Sequence, residues 1–325
     1  MTQPTDFASM TADQQVASLG DCVAAILVQY DVGAHRVESI NHELNSTFAV
    51  TCDSGEKFAL RINVNSPRTL ANLNAEIHWV RSITEVLTPK PVANRGGGFV
   101  TSAWHEAAGC ERLAVMYSWL DGAEPGDNPT HEQLVAAGAA MARLHGSSRG
   151  LEFPVGAELP DFADFFWGDA DVLLSGDSML TEDERRLVAT AKDRIEAMLD
   201  VHRARATVQP IHADIHPWNM MWHDDTLAIF DFDDSGIGLP LQDLATSIYY
   251  LDTDAQVASF LEGYQSVRPL PDYTETDMTL LLLHRRIVLF NSLVQSANPE
   301  HRQIIPEYRA ETMRRIAEAL NRPAV

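Results

Sequence analysis

A connector rich in Gly, Pro and Asp divides this chain of 325 residues into two parts with different residue patterns. The connector covers residues 119–129 and reads WLDGAEPGDNP. Before it, short runs of β-branched and aromatic residues alternate with turn residues, whereas after it apolar residues recur at helical spacing. Because separate runs of strands and helices favour segregated layers, the sequence predicts an α+β fold with a strand-rich lobe at residues 1–118 and a larger, mostly helical lobe at residues 130–325.

The first lobe is predicted to contain an antiparallel sheet with one helix inserted between its strands. Four β-rich runs are joined in pairs by the turns DSGE and RGGG, and they lie at residues 47–52, 57–62, 91–94 and 99–104. The inserted helix has Ser66 as its predicted N-cap and Pro67 at its first position. A leading helix is predicted at residues 12–30, where apolar residues also have helical spacing.

Residues 211–234 read IHADIHPWNMMWHDDTLAIFDFDD and concentrate three histidines, one asparagine and six aspartates. Two strand-like runs in this segment flank an Asp-Asp-Thr turn, so they predict a hairpin. If the hairpin is centred on Asp225, Asn219 lies opposite Asp231, and a two-residue loop would shift this register by one. Amide and carboxylate oxygens are hard ligands that suit Mg²⁺. Asp214, in the loop before the hairpin, can accept a proton from a substrate hydroxyl.

Two other interpretations of the same segment are open. His212, His216 and His223 could form a zinc site, so a zinc hydrolase is the alternative from a different class of enzyme. Pro217 argues against it, because two histidines four residues apart bind zinc most readily on a helix, which a proline disfavours. The aspartates and the asparagine could also be ordinary turn and strand-end residues, since these residue types favour such places.

The chain carries 24 Lys and Arg against 46 Asp and Glu, which gives a net charge of −22 and a pI near 4.8. Such a charge repels nucleic acid and anionic membrane surfaces, so neither is expected as a partner. A cationic substrate would be attracted, although the acidity could equally serve solubility alone. The amino terminus lacks the pattern of a signal peptide, and no apolar run is long enough to span a bilayer, so the protein is predicted to be cytoplasmic.

HADIHPWN followed by IFDFDD resembles the HxDxxxxN and Asp-Phe-Asp motifs of the aminoglycoside phosphotransferase and choline kinase group. The resemblance implies the bilobal protein-kinase-like fold of that group, with an antiparallel-sheet lobe and a helical lobe. It implies that Asp214 is the catalytic base and that His212 organises its loop. It also implies that Asn219, Asp231 and Asp233 hold Mg²⁺, the last as a second acidic position used by some members.

The resemblance extends to both sides of this segment. GLPLQDLA contains Asp243 where the family has an aspartate that ties down the catalytic loop. FALRI places Arg61 where the family has a nucleotide-contacting Lys or Arg, and Glu76 is the expected ion-pair partner. The segment before Arg61 lacks GxGxxG, so the phosphates are expected to meet backbone N–H groups around Ser46. LAVMYSWLDG resembles the hinge, where the backbone from Met116 to Ser118 would meet adenine.

The resemblance implies an ATP- and Mg²⁺-dependent phosphotransferase that acts on a hydroxyl group, and the acidic charge favours a small, amine-bearing acceptor. Two further functions are open: a Ser/Thr protein kinase of the stress-response kinase type, and a pseudokinase or pure binding module. Only a short segment separates Asp231 from the helix in LPLQDLA, which leaves little room for a peptide platform and favours a small molecule. The sequence carries no signal for an oligomeric state.

Overall fold

An antiparallel five-stranded sheet follows two short helices in the first part of the chain. The structure, a computed structural model, describes residues 7–33, 35–296 and 298–321. The elements of this part are α1 (Ala12–Ser18), α2 (Gly20–Leu27), β1 (His35–His42), β2 (Asn45–Cys52), β3 (Lys57–Asn63), α3 (Leu70–Ser82), β4 (Val100–His105) and β5 (Cys110–Ser118). The strand order is β1-β2-β3-β5-β4, and the antiparallel pairing of β2 with β3 confirms the first predicted hairpin.

The leading helix predicted at residues 12–30 is two helices that meet at Leu19. Ser18 Oγ donates to the carbonyl of Gln15 (2.7 Å), a local bond of the kind that competes with regular helix geometry. Gly20 follows directly, and glycine is a poor helix former. Leu19 itself is fully buried in the apolar core that joins these helices to the sheet. Tertiary packing therefore keeps both helices in place although the chain breaks between them.

The second predicted hairpin does not form, because residues 91–94 make only an isolated bridge from Pro91 to Tyr117. A prolyl nitrogen cannot donate to a ladder, so a proline-containing segment seldom makes a full strand. The RGGG turn is present and is closed by a bond from Asn94 N to Gly98 O (2.7 Å). It leads into β4, which pairs with β5 instead.

The helix α3 begins later than predicted. Thr69 is its N-cap and accepts a hydrogen bond from Asn72 N in a capping box. Ser66, the predicted cap, instead donates its hydroxyl to the carboxylate of Asp233 (2.9 Å), and Pro67 lies ahead of the helix. A long-range contact has therefore replaced the local capping bond that the sequence pattern favours.

From residue 130 onward the described chain is mainly helical. Its elements are α4 (His131–Ser147), α5 (Glu182–Arg203), β6 (Gln209–Ile211), β7 (Met220–His223), β8 (Thr226–Ile229), β9 (Gly236–Gly238), α6 (Pro240–Tyr249), α7 (Asp254–Val267), α8 (Glu275–Gln295) and α9 (Pro299–Asn321). β6 pairs with β9, and β7 pairs with β8. The sequence pattern did not indicate the strand β9. The α+β class is confirmed, and the lobe boundaries around residues 119–129 stay predictions. Within the described ranges, no helix combines the length and hydropathy needed to cross a membrane.

The helices α4 and α7 cross with their backbones in close approach. A Cβ atom on Gly138 would lie 1.9 Å from Phe260 O, and a Cβ atom on Gly263 would lie 1.9 Å from Val135 O. No side chain tolerates such a distance, so only glycine fits at either position. The crossing brings Tyr264 of α7 beside the C-terminal end of α4, where its hydroxyl meets a histidine of the site described below.

His284, on α8, should make stability fall in acid. Its side chain is 1% exposed, and its Nε2 donates to Phe165 O (2.8 Å). Burial lowers the pKa of His284 to about 4, although the bond to Phe165 opposes this shift. The folded-state pKa is therefore depressed, so the contribution to stability is complete above the unfolded-state pKa of about 6.5 and is lost as pH falls towards 4.

We expect the free energy of unfolding to lose about 3 kcal/mol from this one residue between pH 7 and pH 4, because each pKa unit corresponds to about 1.4 kcal/mol. His284→Gln keeps a donor for Phe165 and does not titrate, so the variant should show a smaller loss than the parent. Urea unfolding at several pH values measures the difference. His223→Gln, at an exposed position, is the matched control and should leave the pH dependence unchanged. Parallel curves for His284→Gln and the parent would contradict the assignment.

Candidate active site

The carboxylate of Asp214 is the centre of the site and lies in the loop between β6 and β7. Its Oδ1 accepts a hydrogen bond from Arg285 Nη2, and its Oδ2 accepts one from Asn219 Nδ2 (2.9 Å). His216 Nε2 lies 3.3 Å from the same Oδ2. Burial acts to raise the pKa of Asp214, but the positive charge of Arg285, followed by the contribution of the neighbouring His216 ring, outweighs it and holds the pKa below its ordinary range. Asp214 is therefore ionised and held at both oxygens.

The backbone of this loop is held by hydrogen bonds to the side chain of Asp243, on α6. The Asp243 carboxylate accepts hydrogen bonds from the backbone N–H groups of His212 (3.2 Å) and Ala213 (2.8 Å). His145 Nε2, at the end of α4, lies 2.8 Å from the same carboxylate, and its Nδ1 contacts the hydroxyl of Tyr264 (2.9 Å). Ala213 has a left-handed backbone (φ 63°), a strained conformation that these bonds hold in place.

The three histidines of this segment do not converge on a common point. His212 Nδ1 accepts from Asp214 N (3.3 Å), and His212 Nε2 donates to Phe230 O (3.1 Å), so both ring nitrogens are occupied. His216 contacts Asp214, whereas His223 is exposed at the end of β7. In the part of the chain that the structure describes, no three His, Cys, Asp or Glu side chains are grouped to hold a metal. The zinc interpretation therefore has no geometric support.

The hairpin of β7 and β8 turns on two residues, Asp224 and Asp225. Both have left-handed backbones (φ 45° and 57°), as a two-residue hairpin turn of the primed type requires. Asn219 O accepts from Phe230 N (3.1 Å), so Asn219 lies opposite Phe230 and not opposite Asp231. The register centred on Asp225 is wrong by one residue, and the two-residue loop is the one that forms. Asp231 directly follows Phe230, so it still lies at the end of the ribbon that carries Asn219.

Arg61 joins the first part of the chain to this ribbon. Its Nη2 lies 2.6 Å from Glu76 Oε2, so the pair predicted from β3 and α3 is present. Its guanidinium also lies 3.6 Å from Asp231 Oδ1 and 3.7 Å from Asp233 Oδ1. Tyr117 donates its hydroxyl to the other oxygen of Glu76 (2.6 Å). Arg61 is therefore a buried cation oriented by Glu76 and directed at two acidic side chains.

The carboxylates of Asp231 and Asp233, with the amide oxygen of Asn219, are oxygen donors of the kind that suits a divalent cation. The side chain of Asp231 is 43% exposed. Desolvation nevertheless raises the pKa of Asp231 to about 7. The positive charge of Arg61 opposes this rise, whereas the negative charges of Asp233, Asp214 and Asp234 add to it. Asp233 Oδ1 is buried and has no hydrogen-bond donor among the described residues. Carboxylate oxygens with surplus negative charge are the ligands that Mg²⁺ prefers, so these residues could hold such an ion.

Asp233 is also held by one residue of the sheet and two residues of the segment between β3 and α3. Its Oδ2 accepts from Asn45 Nδ2 (3.0 Å) and from Ser66 Oγ (2.9 Å), and its backbone oxygen accepts from Arg68 Nε (2.8 Å). Ser46, next to Asn45, is buried, and its hydroxyl lies 2.6 Å from a histidine ring nitrogen at the end of β1. The Ser46 side chain is therefore engaged, and only its backbone could serve the predicted phosphate role, which stays a prediction.

The predicted hinge backbone is partly occupied. Met116 O accepts from Val92 N (2.7 Å), and Ser118 N donates to Lys90 O (2.8 Å). Ser118 Oγ also accepts from Lys90 N (2.8 Å). These backbone atoms of Met116 and Ser118 are therefore satisfied by the segment that runs beside β5, and the predicted contact with adenine stays a prediction.

Sequence reasoning missed Arg285, which is the cation closest to Asp214. It lies on α8, within the run LLLLHRRIVLF, and its side chain is 3% exposed. Consecutive basic residues in an apolar helix were the available signal, because a buried charge is rarely found without a partner. The identity of that partner depends on tertiary packing, which the sequence pattern does not give.

Two sequence comparisons bear on this site. A protein-family model described as a phosphotransferase enzyme family matches residues 36–278, well over half of the chain. The chain is also similar to amicoumacin kinase from Bacillus subtilis (strain 168), with 22% identity over 229 residues. The aligned part is 70% of this chain and 66% of that protein, so it spans just under two thirds of the relative.

Solved structures resemble the fold over nearly its full length. A microcompartment-associated aminopropanol kinase has a TM-score of 0.74 and 22% identity, covering 95% of this chain and 98% of that one. An amicoumacin kinase in complex with AMP-PNP, Ca²⁺ and Ami has a TM-score of 0.73 and 19% identity, covering 93% of each chain. A choline/ethanolamine kinase family protein from Mesorhizobium loti has a TM-score of 0.61 and 17% identity, covering 97% of this chain and 96% of that one. The predicted kinase-like fold is confirmed.

Proposed function

The chain belongs to the phosphotransferase enzyme family, and from this premise we propose that it transfers the γ-phosphate of ATP, with Mg²⁺, to a hydroxyl group of a small amine-bearing molecule. The observation that carries the proposal is the ionised carboxylate of Asp214, held at both oxygens beside Asn219. A carboxylate fixed in this way can accept a hydrogen bond from an acceptor hydroxyl and orient its oxygen for in-line attack.

Two aspartates and Asn219 are the proposed ligands of the Mg²⁺ ion. Asp231, Asp233 and the amide oxygen of Asn219 would hold Mg²⁺, which when bound neutralises charge on the transferring phosphate. The Asn219 amide nitrogen donates to the backbone oxygen of Asp214 (3.0 Å) as well as to its carboxylate (2.9 Å), which leaves the amide oxygen free of both bonds. This division uses one end of Asn219 to fix the base and the other to bind the ion.

Arg61 is the proposed phosphate contact. Arginine stays charged at any physiological pH and presents several donors, so it can bind phosphate oxygens in place of the lysine more common in the family. Glu76 and Tyr117 fix the position of the guanidinium from behind. The guanidinium also lies near Asp231 (3.6 Å) and Asp233 (3.7 Å), so the proposed phosphate contact is adjacent to the proposed ion ligands.

Aromatic rings and a carboxylate next to Asp214 support an amine-bearing acceptor. The His216 ring centroid lies 4.6 Å from that of Tyr250 and 5.7 Å from that of Trp218, and Trp218 is 41% exposed. The side chain of Asp234 is 30% exposed. Aromatic faces beside a carboxylate attract an ammonium group, and the net charge of −22 has the same effect at longer range. An aminopropanol kinase is among the similar structures, and its name denotes an amino alcohol.

A small acceptor is favoured over a protein substrate by the chain that follows the acidic residues. The 3₁₀ turn Phe232–Asp234 is followed by β9 at once, and α6 begins at Pro240. This leaves no extended segment on which a peptide could lie, as a Ser/Thr protein kinase would need.

Acceptor-dependent consumption of ATP is the test of this proposal. We expect at least one compound among amino alcohols, aminoglycosides and sugars to accelerate ATP consumption with Mg²⁺ present, and we expect the amine-bearing compounds to exceed their neutral analogues. Removal of Mg²⁺ with a chelator should abolish the acceleration. Labelling of proteins alone, or equal activity with neutral analogues, would contradict the proposed acceptor class. Turnover by no compound and no protein would favour the pseudokinase alternative.

A further inference from the structure

We propose that Arg285 is a positioning residue for Asp214, which fixes the direction in which the carboxylate meets the acceptor hydroxyl. The inference rests on the proposed function above. Arg285 Nη2 donates both to Asp214 Oδ1 and to the hydroxyl of Tyr250 (2.9 Å). The same nitrogen lies 3.8 Å from Asp234 Oδ2. A single guanidinium group thus connects the catalytic loop to the end of α6 and to the acidic segment after β8.

The guanidinium is itself held by aromatic packing. Its central carbon lies 5.3 Å from the ring centroid of Trp167 and 5.6 Å from that of Tyr250. Trp167 stacks on Phe162 with centroids 4.5 Å apart. Trp167 has a left-handed backbone (φ 59°), which is unfavourable for a large side chain and persists only where the surrounding structure holds it. The strained residue presents its ring to Arg285, so the fold maintains this arrangement at a conformational cost.

The bonds to Asp214 leave it one orientation. Arg285 occupies Oδ1, while Asn219 and His216 approach Oδ2, so rotation of the carboxylate would break bonds at both ends. Of the two oxygens, Oδ1 has the single donor Arg285 and keeps a second lone pair, and an acceptor hydroxyl can donate to it only where that lone pair points. Because alignment of the attacking oxygen governs the rate, a carboxylate free to rotate would transfer phosphate slowly even with both substrates bound.

Arg285 acts on the acceptor side of the reaction. Among the described residues, its ion pairs are with Asp214 and Asp234, and not with the proposed cation ligands Asp231 and Asp233. Loss of Arg285 should therefore reduce the rate of transfer and leave the binding of MgATP unchanged. If Arg285 served folding alone, its loss would reduce both the rate of transfer and the binding of MgATP.

The next residue provides a matched control. Arg286 lies on the same helix and is also buried (6% exposed), but it bonds Thr312 Oγ1 (3.0 Å) and Tyr308 O (3.3 Å) of α9. Its central carbon lies 4.1 Å from the Tyr308 ring centroid. Arg286 therefore resembles Arg285 in type, burial and aromatic packing, and differs in having no contact with Asp214.

The experiment compares Arg285→Met, Arg285→Lys and Arg286→Met in the full chain, with the best acceptor from the ATP-consumption screen. We measure kcat for transfer, the Kd for MgATP by calorimetry and the melting temperature. Arg285→Met should lower kcat by about 100-fold, the effect of a small misplacement of a reacting group, with an unchanged Kd for MgATP. Arg285→Lys keeps the charge and should recover part of the rate. Arg286→Met should lower the melting temperature and retain kcat.

Two results would overturn the inference. One is a wild-type kcat in Arg285→Met, and the other is a parallel loss of kcat and MgATP binding in Arg285→Met and Arg285→Lys. Failure of the proposed function has a different signature, because the wild-type protein would then transfer phosphate to no acceptor at all.

Discussion

Asp214→Asn should lower kcat for phosphoryl transfer by about 10²–10⁴-fold, the range found when a positioned general base is removed. Asparagine has the same shape but no negative charge, so it cannot take the proton of the acceptor hydroxyl. The substitution also removes the nearer of the two anionic partners of buried Arg285 and leaves only Asp234, at 3.8 Å; removal of one member of a buried ion pair typically costs about 3–5 kcal/mol of stability. Steady-state kinetics and urea unfolding separate the two effects.

Two controls keep this result interpretable. Kinetics must be measured at a temperature where circular dichroism shows the variant to be folded, because lost stability would otherwise imitate lost chemistry. Asp224→Asn makes the same chemical change at an exposed position of the nearby turn and should leave kcat unchanged. If Asp214→Asn turned over acceptor at the wild-type rate while folded, Asp214 would not be the base.

The lowered pKa of Asp214 also bears on how it works. The positive charge of Arg285 makes it a weak base, so it is unsuited to removing a proton before phosphoryl transfer begins. Phosphoryl transfer passes through a loose transition state in which the attacking oxygen needs alignment more than prior deprotonation. A weak but well-oriented base fits that requirement.

Asp231→Asn should lower MgATP-dependent turnover by about 10³-fold, since a metal ion commonly supplies several kcal/mol of transition-state stabilisation. Asparagine is the appropriate replacement because Asp231 has a left-handed backbone (φ 61°), which Asn adopts at a lower cost than Ala. An amide oxygen can still approach the cation, but without charge it holds the ion weakly. Turnover measured across a Mg²⁺ titration should show a higher requirement for Mg²⁺ as well as a lower maximum.

The chain offers a close control for this substitution. Asp225 also has a left-handed backbone (φ 57°) and lies at the turn of the same hairpin, away from Asn219. Asp225→Asn should therefore keep wild-type turnover and a wild-type requirement for Mg²⁺. Near-native turnover by Asp231→Asn at ordinary Mg²⁺ concentration would remove Asp231 from the proposed ion site.

The contacts of the site that could be predicted from the sequence are of two kinds. They join residues close together in the chain, or residues of one strand and the helix that follows it. Asp214 and Asn219 are five residues apart, and their contact follows from the loop that contains both. Arg61 and Glu76 come from adjacent elements of one lobe, and their pairing is present as predicted. In each case a short segment or a single packing step determines the distance, so the sequence motif carries enough information.

The parts that could not be predicted depend on longer-range packing or on local backbone choices. Arg285 reaches Asp214 from 71 residues further along the chain, and no motif relates the two. The sequence could not decide between the register centred on Asp225 and the register of a two-residue loop, because the choice depends on the left-handed backbones that the two turn aspartates adopt. Ser66 has the residue type of a helix cap, yet its hydroxyl binds Asp233, which is 167 residues further along the chain.

For protein engineering, the crossing of α4 and α7 identifies two positions that must remain glycine. Gly138 and Gly263 allow the two helices to approach closely, which brings Tyr264 into contact with His145. His145 also contacts Asp243, whose carboxylate holds the backbone of the loop that contains Asp214. A library aimed at new acceptors gains nothing from these positions, where every other side chain would push the helices apart. Trp218 is the opposite case, because it is 41% exposed and lies outside both helices. Diversity introduced there can change recognition without disturbing the support of the loop.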